Sequence, residues 1–237
     1  GEITRRPTEL LASNYYDPEA GTVLIPINPA LSPVENSQLY YKKYNKAKKG
    51  QEKIRHQLNK TKMELDYYAS LENSLQEPFS LGDLVEIEEE MQETGLLKIK
   101  SKSKPRSRPI PARKPSLFKS SDGWEILVGR NNKQNDLLTM KMASSGDLWF
   151  HTQKIPGSHV IIRSQGKTVP EDILLEAANL AVYFSKAQGS SKVPVDYTEK
   201  HHVRKPSGSR PGFVLYDHFQ TLIIDPDVKI LEKYGLK

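Results

Sequence analysis

The chain has 237 residues, no cysteine, 36% hydrophobic residues, a mean hydropathy of −0.62, a net charge of +6 and a pI near 9.2. These values exclude a disulfide framework and a thiolate metal site, and no apolar run approaches the roughly 20 residues of a membrane helix. So polar a chain does not fill one compact core, so part of it is predicted to be elongated or solvated, and its positive charge favours polyanionic partners.

The chain does not open on a methionine, Gly1-Glu-Ile-Thr-Arg-Arg-Pro7 is no signal peptide, and the sequence reads as a piece of a longer protein. Thr8 to Ser13 and Thr22 to Ile27 are predicted as extended segments around the turn Asp17-Pro-Glu-Ala-Gly21. A lone hairpin is marginal in water, so its apolar face is expected to stay open toward a missing N-terminal part. Ser32-Pro33 with Glu35 then starts a helix. Tyr40, Tyr44, Ala47, Gln51, Ile54, Leu58, Thr61, Leu65, Tyr68, Glu72 and Leu75 recur at alternating spacings of four and three, the pattern of a coiled-coil seam.

Glu77-Pro78 ends that helix, and Leu81, Leu84, Ile87 and Met91 mark a second one that stops near Gly95 and folds back antiparallel over the distal part of the first. Its acidic face (Glu86, Glu88, Glu89, Glu90, Glu93) reads as solvated or as meeting basic positions of the first helix. The nearer half of the first helix sets Tyr40, Tyr41 and Tyr44 beside lysines, a surface for RNA, for a protein or for the missing N-terminal part. Between Asp83 and Glu93 lie six acids and no base, whereas Lys98 to Lys119 holds nine Lys or Arg and no acid. Residues 98–115 therefore read as a flexible basic linker kept extended by proline.

Beyond Ser116 the pattern becomes globular. Trp124 to Val128, Leu137 to Met142, Leu148 to Phe150, Val160 to Ile162, Phe213 to Leu215 and Thr221 to Ile224 are predicted strands. Thr168-Val-Pro-Glu171 reads as a capping box before an amphipathic helix with Ile173, Leu174, Ala177, Leu180, Ala181 and Phe184 on its apolar face. The fold class is α+β: a long antiparallel helical coiled-coil arm followed by a small mixed α+β domain of RNA-binding type. The predicted division is a hairpin over 1–31, a coiled coil over 32–97, the linker over 98–115 and a domain over 116–237.

Three segments carry the candidate chemistry. Asp147-Leu-Trp149-Phe-His151-Thr-Gln-Lys-Ile-Pro156-Gly157-Ser158-His159-Val-Ile-Ile-Arg163 holds two His, a Trp and a Pro-Gly turn that places Ser158, His159 and Arg163 near one sheet edge. Trp149 and Phe150 suit core packing. Asp147, His151 and His159 suit a buried hydrogen-bond network that fixes the Pro156-Gly157 turn, while the same turn is also placed to offer Ser158, His159 and Arg163 to RNA. Gly129-Arg130-Asn131-Asn-Lys133-Gln-Asn-Asp136 is a polar turn with Arg130, Asn131 and Lys133 as candidate RNA contacts. His202-Val-Arg204-Lys205-Pro-Ser207-Gly-Ser-Arg210-Pro-Gly212 is the strongest phosphate-contact candidate, read otherwise as a solvated loop: its cations and hydroxyls sit beside glycines that let amides approach an anion. Such contacts position a ligand without reading its bases, which suits shaped RNA.

No metal, cofactor or catalytic group is predicted. His151 and His159 are eight residues apart, His201-His202 brings no cysteine, and no Glu stands where the zinc-protease helix needs one. A hydrolase built on Ser158, His159 and Asp147 lacks the Gly-x-Ser-x-Gly elbow.

In order and spacing these three segments resemble the C-terminal RNA-associated domain, NFACT-R, of the NFACT family. Tyr15-Tyr-Asp-Pro-Glu19, Ile25-Pro-Ile-Asn-Pro-Ala-Leu-Ser-Pro33 and the Tyr/Lys-rich helix resemble the end of the N-terminal region and the coiled-coil middle of its bacterial members. The resemblance implies a non-enzymatic, cytoplasmic ribosome quality-control factor. Its partners would be the large ribosomal subunit with its rRNA, tRNA, and the missing N-terminal domain of the same protein. The full-length protein would recruit tRNA for C-terminal alanine tailing of stalled chains, and the residues that read the tRNA would lie in the missing domain. The alternative implied by an older family name is an adhesin that binds fibronectin at the cell surface.

Overall fold

The computed structural model describes residues 7–19, 21–76, 80–98, 114–120 and 122–236. The Glu77-Pro78 break and nearly all of the predicted linker lie outside the described residues. The chain forms two compact units, residues 1–62 and 63–237, so the division falls inside the long first helix.

In the first unit, β1 (Glu9–Ser13) and β2 (Thr22–Pro26) pair antiparallel with Leu10 opposite Ile25 and Leu11 opposite Leu24. Leu10, Leu11, Val23 and Leu24 are exposed, as an unpartnered hairpin predicts. Ser32 and Glu35 form a reciprocal cap, Glu35 Oε2 accepting from Ser32 N at 2.7 Å and Ser32 Oγ accepting from Glu35 N at 3.3 Å. That cap holds the Glu35 carboxyl below its ordinary pKa and opens α1 (Pro33–Gln76). Asn36 Nδ2 donates to Asn28 O at 3.0 Å and the Tyr40 hydroxyl donates to Pro26 O at 2.5 Å, tying the first turns of α1 to the hairpin. Tyr41, Tyr44, Ile54 and Leu58 are exposed on its surface.

The second unit begins with the end of α1 and α2 (Leu81–Glu93), whose cap is Ser80 with Asp83 and whose stop is Gly95 at φ +77°. Tyr67, Leu71 and Ile87 form the buried cluster here, with Met91 against it. The expected seam is displaced: Leu65, Tyr68 and Leu75 are exposed, and the buried line is Tyr67, Leu71 and Ser74. The buried face is the one that brings the Tyr67 hydroxyl to Glu90 of α2 at 2.9 Å.

The remaining strands are β3 (Ser116–Lys119), β4 (Glu125–Val128), β5 (Leu148–Thr152), β6 (Val160–Ile162), β7 (Val193–Glu199), β8 (Val203–Arg204), β9 (Leu215–Tyr216) and β10 (Gln220–Ile224). Six of them form one antiparallel sheet in the order β10-β7-β5-β6-β4-β3. The period-two alternation sorts its side chains. Ile126, Val128, Phe150, Val160, Ile162 and Val195 face α4 (Glu171–Tyr183), whereas Leu127, Trp149 and Ile161 pack on the opposite side with Leu138 and Val203.

Two expected strands take other forms. Leu137 to Met142 is the end of α3 (Asn132–Leu137) and a π-helical turn over Leu138–Met142, closed by Ala143 N donating to Leu138 O at 2.9 Å. Leu138 and Thr139 are both fully buried in this turn, where Thr139 Oγ1 meets His159 Nδ1 at 2.7 Å. Phe213 to Leu215 contributes only Leu215 to β9, which pairs with β8. The capping box at Thr168 is not formed; α4 starts after Pro170 without a side-chain cap. A short helix, α5 (Val228–Lys233), follows the sheet.

Candidate nucleic-acid interface

Three loops meet at the sheet end where β5 begins and β6 and β7 finish, since Leu148 lies opposite both Ile162 and Glu199. Asp147 fastens them. Its carboxylate accepts from Ser144 N at 2.8 Å and from Gln165 N at 3.3 Å, and its carbonyl accepts from Lys200 N at 2.8 Å. Ser164 Oγ adds a bond to Gly146 O at 2.5 Å. Asp147 thus shapes the turn with its own neighbours and is not hydrogen-bonded to either histidine of its motif. Exposed Lys167 and half-buried Lys200 stand on the fastened loops, and among the described residues neither has an ion-pair partner. Arg204 follows on β8 with a side chain 68% exposed, held at 3.0 Å by Asp217.

Beneath these loops, on the face away from α4, lies a layer of aromatic rings. Trp149 is fully buried, stacked on His151 at 5.7 Å and edge-on to His159 at 5.2 Å, with Tyr216 at 4.8 Å. His159 Nδ1 meets Thr139 Oγ1 at 2.7 Å, and its backbone N–H donates to Asn135 Oδ1 at 3.0 Å. Burial, with His151 adding to it, pushes His159 well below the ordinary histidine pKa, and burial pushes His151 down to about 4. Both rings are neutral at physiological pH and offer no cationic contact to phosphate. Ser158 and His159 are buried on a segment leading into β6, an internal strand, so the expected surface site at a sheet edge is not formed by these two residues. Arg163 is half-exposed and paired with Glu125 at 2.9 Å.

Pro156 and Gly157 serve packing. Ser158 N donates to Phe184 O at 3.0 Å and Lys186 N to Pro156 O at 2.9 Å, so the turn pairs with the chain leaving α4. Gly157 is required there, because a Cβ would lie 2.7 Å from Ser185 Cβ. Asp196 is the residue of this layer that the sequence reading missed. It is fully buried and accepts from Tyr216 Oη and Thr221 Oγ1, both at 2.7 Å, and from Gln153 Nε2 at 3.0 Å. Its signal was the pattern Val193-x-Val195-x-Tyr197, which sends Asp196 to the other face of β7.

The other two motifs are largely turned inward. Asn131 caps α3 and its amide donates to Glu86 Oε2 at 2.7 Å; Gln134 Nε2 donates to Asp83 at 3.0 Å and Glu86 at 2.9 Å. Asn132 Nδ2 donates to Glu90 at 2.9 Å, and Lys133 Nζ lies 3.0 Å from Glu93 and 3.4 Å from Glu89. The acidic face of α2 is divided: Glu90 is fully buried and Glu86 nearly so, matched by side-chain amides of α3, whereas Glu88, Glu89 and Glu93 are exposed as a solvated face predicts, the last two facing Lys133 of α3. Burial raises the Glu90 pKa, with the bonds from Asn132 and Tyr67 opposing the shift, and burial pushes the Tyr67 phenol up to about 12. Arg130 stacks over Phe184 at 5.1 Å. In the basic loop, Lys205 pairs with Asp136, Arg210 stacks over Tyr67 at 4.3 Å, and only Arg204 and Ser207 are exposed among the four polar candidates.

Models of the NFACT N-terminal and middle domains and of the NFACT protein RNA binding domain match residues 2–109 and 114–215 respectively. The chain is 44% identical over 223 residues to the Rqc2 homolog RqcH of Bacillus subtilis and 41% identical over 227 residues to that of Streptococcus suis. These alignments cover 93% and 95% of the chain but 38% and 40% of the relatives, so the chain spans about two fifths of their length. A solved structure of the C-terminal of the fibronectin/fibrinogen-binding protein from Streptococcus suis is 40% identical, with a TM-score of 0.73 over 86% of this chain and 80% of that one. Both compact units are thus accounted for by one lineage, and the chain belongs to the NFACT family.

Proposed function

We propose that the chain is the coiled-coil and RNA-binding portion of a ribosome quality-control factor. In this reading it binds the rRNA of the large subunit that still carries peptidyl-tRNA after stalling, in the cytoplasm. In the full-length protein it supports tRNA recruitment and C-terminal alanine tailing. Peptide-bond formation then belongs to the ribosome, and this chain supplies binding without a catalytic group. The carrying observation is the sheet end fastened by Asp147, where Lys167 and Lys200 sit on loops whose backbone is fixed and Arg204 follows on β8. Cations on a rigid rim recognise the spacing of phosphates rather than base identity.

The test is co-sedimentation with purified large ribosomal subunits over a salt series. The variant Lys167→Ala/Lys200→Ala/Arg204→Ala is expected to weaken binding and flatten the log–log salt dependence by about two to three, near 0.7–0.9 for each lost phosphate contact. An unchanged slope refutes the interface. The adhesin reading draws on the name of the Streptococcus suis structural relative. It predicts instead that the chain binds immobilised fibronectin after nuclease treatment and does not pellet with subunits.

A further inference from the structure

We propose that His202, Asp217 and His218 form a binding site for a divalent transition-metal ion, with Zn2+ as the fitting ion; the inference shares Arg204 with the RNA-binding reading but does not rest on it. The backbone brings the three together. Val203 pairs with Tyr216 across β8 and β9, so His202 and Asp217 are the next residues on either side of that ladder, and His218 follows directly. Thr198 Oγ1 on β7 fixes the turn by donating to Asp217 O at 3.1 Å and His218 O at 3.2 Å. Under that restraint His218 takes φ +51°, a left-handed conformation uncommon for a residue with a side chain. Its imidazole consequently returns toward Asp217 and stacks beside His202 with ring centres 4.5 Å apart.

Two of the three donor separations match an ion. Nδ1 of His202 lies 3.3 Å and Nδ1 of His218 lies 2.9 Å from Asp217 Oδ1, and one ligand atom of each residue falls within 4.8 Å of the others. With bonds of roughly 2.0–2.1 Å, adjacent ligands are about 2.9 Å apart at a right angle and about 3.3 Å apart at the tetrahedral angle. Two imidazoles and one carboxylate suit zinc, nickel or cobalt better than the oxygen-seeking magnesium or calcium. Arg204 holds Asp217 Oδ2 at 3.0 Å, which orients the carboxylate and leaves Oδ1 to the imidazoles. The His218 side chain is 74% exposed, so further coordination positions are open to water. Local spacing and the lack of cysteine argue against a metal, but the partners of His202 are fifteen and sixteen residues downstream, across a strand pair of two residues each.

The test uses the whole 237-residue chain, untagged and stripped of metal. Titration with Co2+ is expected to produce a visible ligand-field band that saturates at one equivalent and is abolished by Zn2+, with calorimetry reading the Zn2+ affinity. An outer partner of a metal ligand is commonly worth 10–100-fold in affinity, so removing a ligand by His218→Gln or His202→Gln should cost at least about 100-fold. His201→Gln should leave the titration unchanged. No saturable binding at one equivalent, or equal binding by His218→Gln, overturns the proposal.

Discussion

Replacing Gly157 by alanine tests the packing account of the Pro156-Gly157 turn. The new Cβ would stand 2.7 Å from Ser185 Cβ, 3.0 Å from Thr152 Oγ1 and 3.3 Å from Ser185 Cα. Carbon atoms rest at about 3.5–4.0 Å, so the two segments must part by roughly 1 Å. That movement takes the bonds Ser158 N to Phe184 O (3.0 Å) and Lys186 N to Pro156 O (2.9 Å) out of range. Overpacking costs about 1–3 kcal/mol and each bond about 0.5–1.5 kcal/mol, so the variant should lose about 2–6 kcal/mol. In a unit of this size that lowers Tm by roughly 4–24 °C. Urea unfolding of the wild type, Gly157→Ala, Ser185→Gly and the double variant measures it. Ser185→Gly removes the nearest atom, so the double variant should recover at least about 1 kcal/mol relative to additivity. A single-variant loss under about 0.5 kcal/mol, or strict additivity, refutes the reasoning.

Glu90→Gln should raise stability at neutral pH relative to the wild type and flatten its pH dependence. The Glu90 pKa is raised in the folded state, so the fold binds the proton more tightly than the unfolded chain and stability falls as pH rises from about 4.5 through the folded value. Glutamine keeps an acceptor for Tyr67 and Asn132 without the charge, and a lower Tm for the variant at pH 8 would contradict the assignment. His151 carries the opposite sign: depressed from 6.5 to about 4, it favours folding above pH 6.5 and withdraws that contribution as pH falls toward 4. Its imidazole resonance should hold the neutral position from pH 8 to about 5, and a titration midpoint near 6.5 would exclude the buried, neutral ring.

What was legible in the sequence followed from local grammar. Val160-Ile-Ile162 is a buried strand because three successive branched residues suit a strand covered on both faces, and Gly95 stops α2 because its φ is positive. β7 was passed over because a proline and a carboxylate inside the Val193-x-Val195-x-Tyr197 alternation argue against a strand, and that buried Asp196 is satisfied by residues 20, 25 and 43 positions away. The candidate site divided along the same line. Charge and glycine content correctly marked the basic loop as polar, but whether a cation faces solvent depends on what lies opposite it. Asp136 takes Lys205 and Tyr67 takes Arg210, from distant parts of the chain. The acidic helix was legible in part for a related reason: Glu88, Glu89 and Glu93 do face water, whereas Glu86 and Glu90 meet the amides of Asn131, Asn132 and Gln134, a polar wall that hosts carboxylates.

That wall sets how the unit responds to ionic conditions. Its central donors are neutral amides, and Glu86 and Glu90 are shielded from solvent, so salt that screens exposed charges over about 8–10 Å has little hold on the junction between α2 and α3. Lys133, at the rim of the junction, pairs with the exposed Glu89 and Glu93. Under the proposed function, washing with concentrated salt should therefore release nucleic acid from Lys167, Lys200 and Arg204 while α2 stays seated. The molecule keeps its internal adhesion and its external adhesion on different chemical footings, and one can be reversed without disturbing the other.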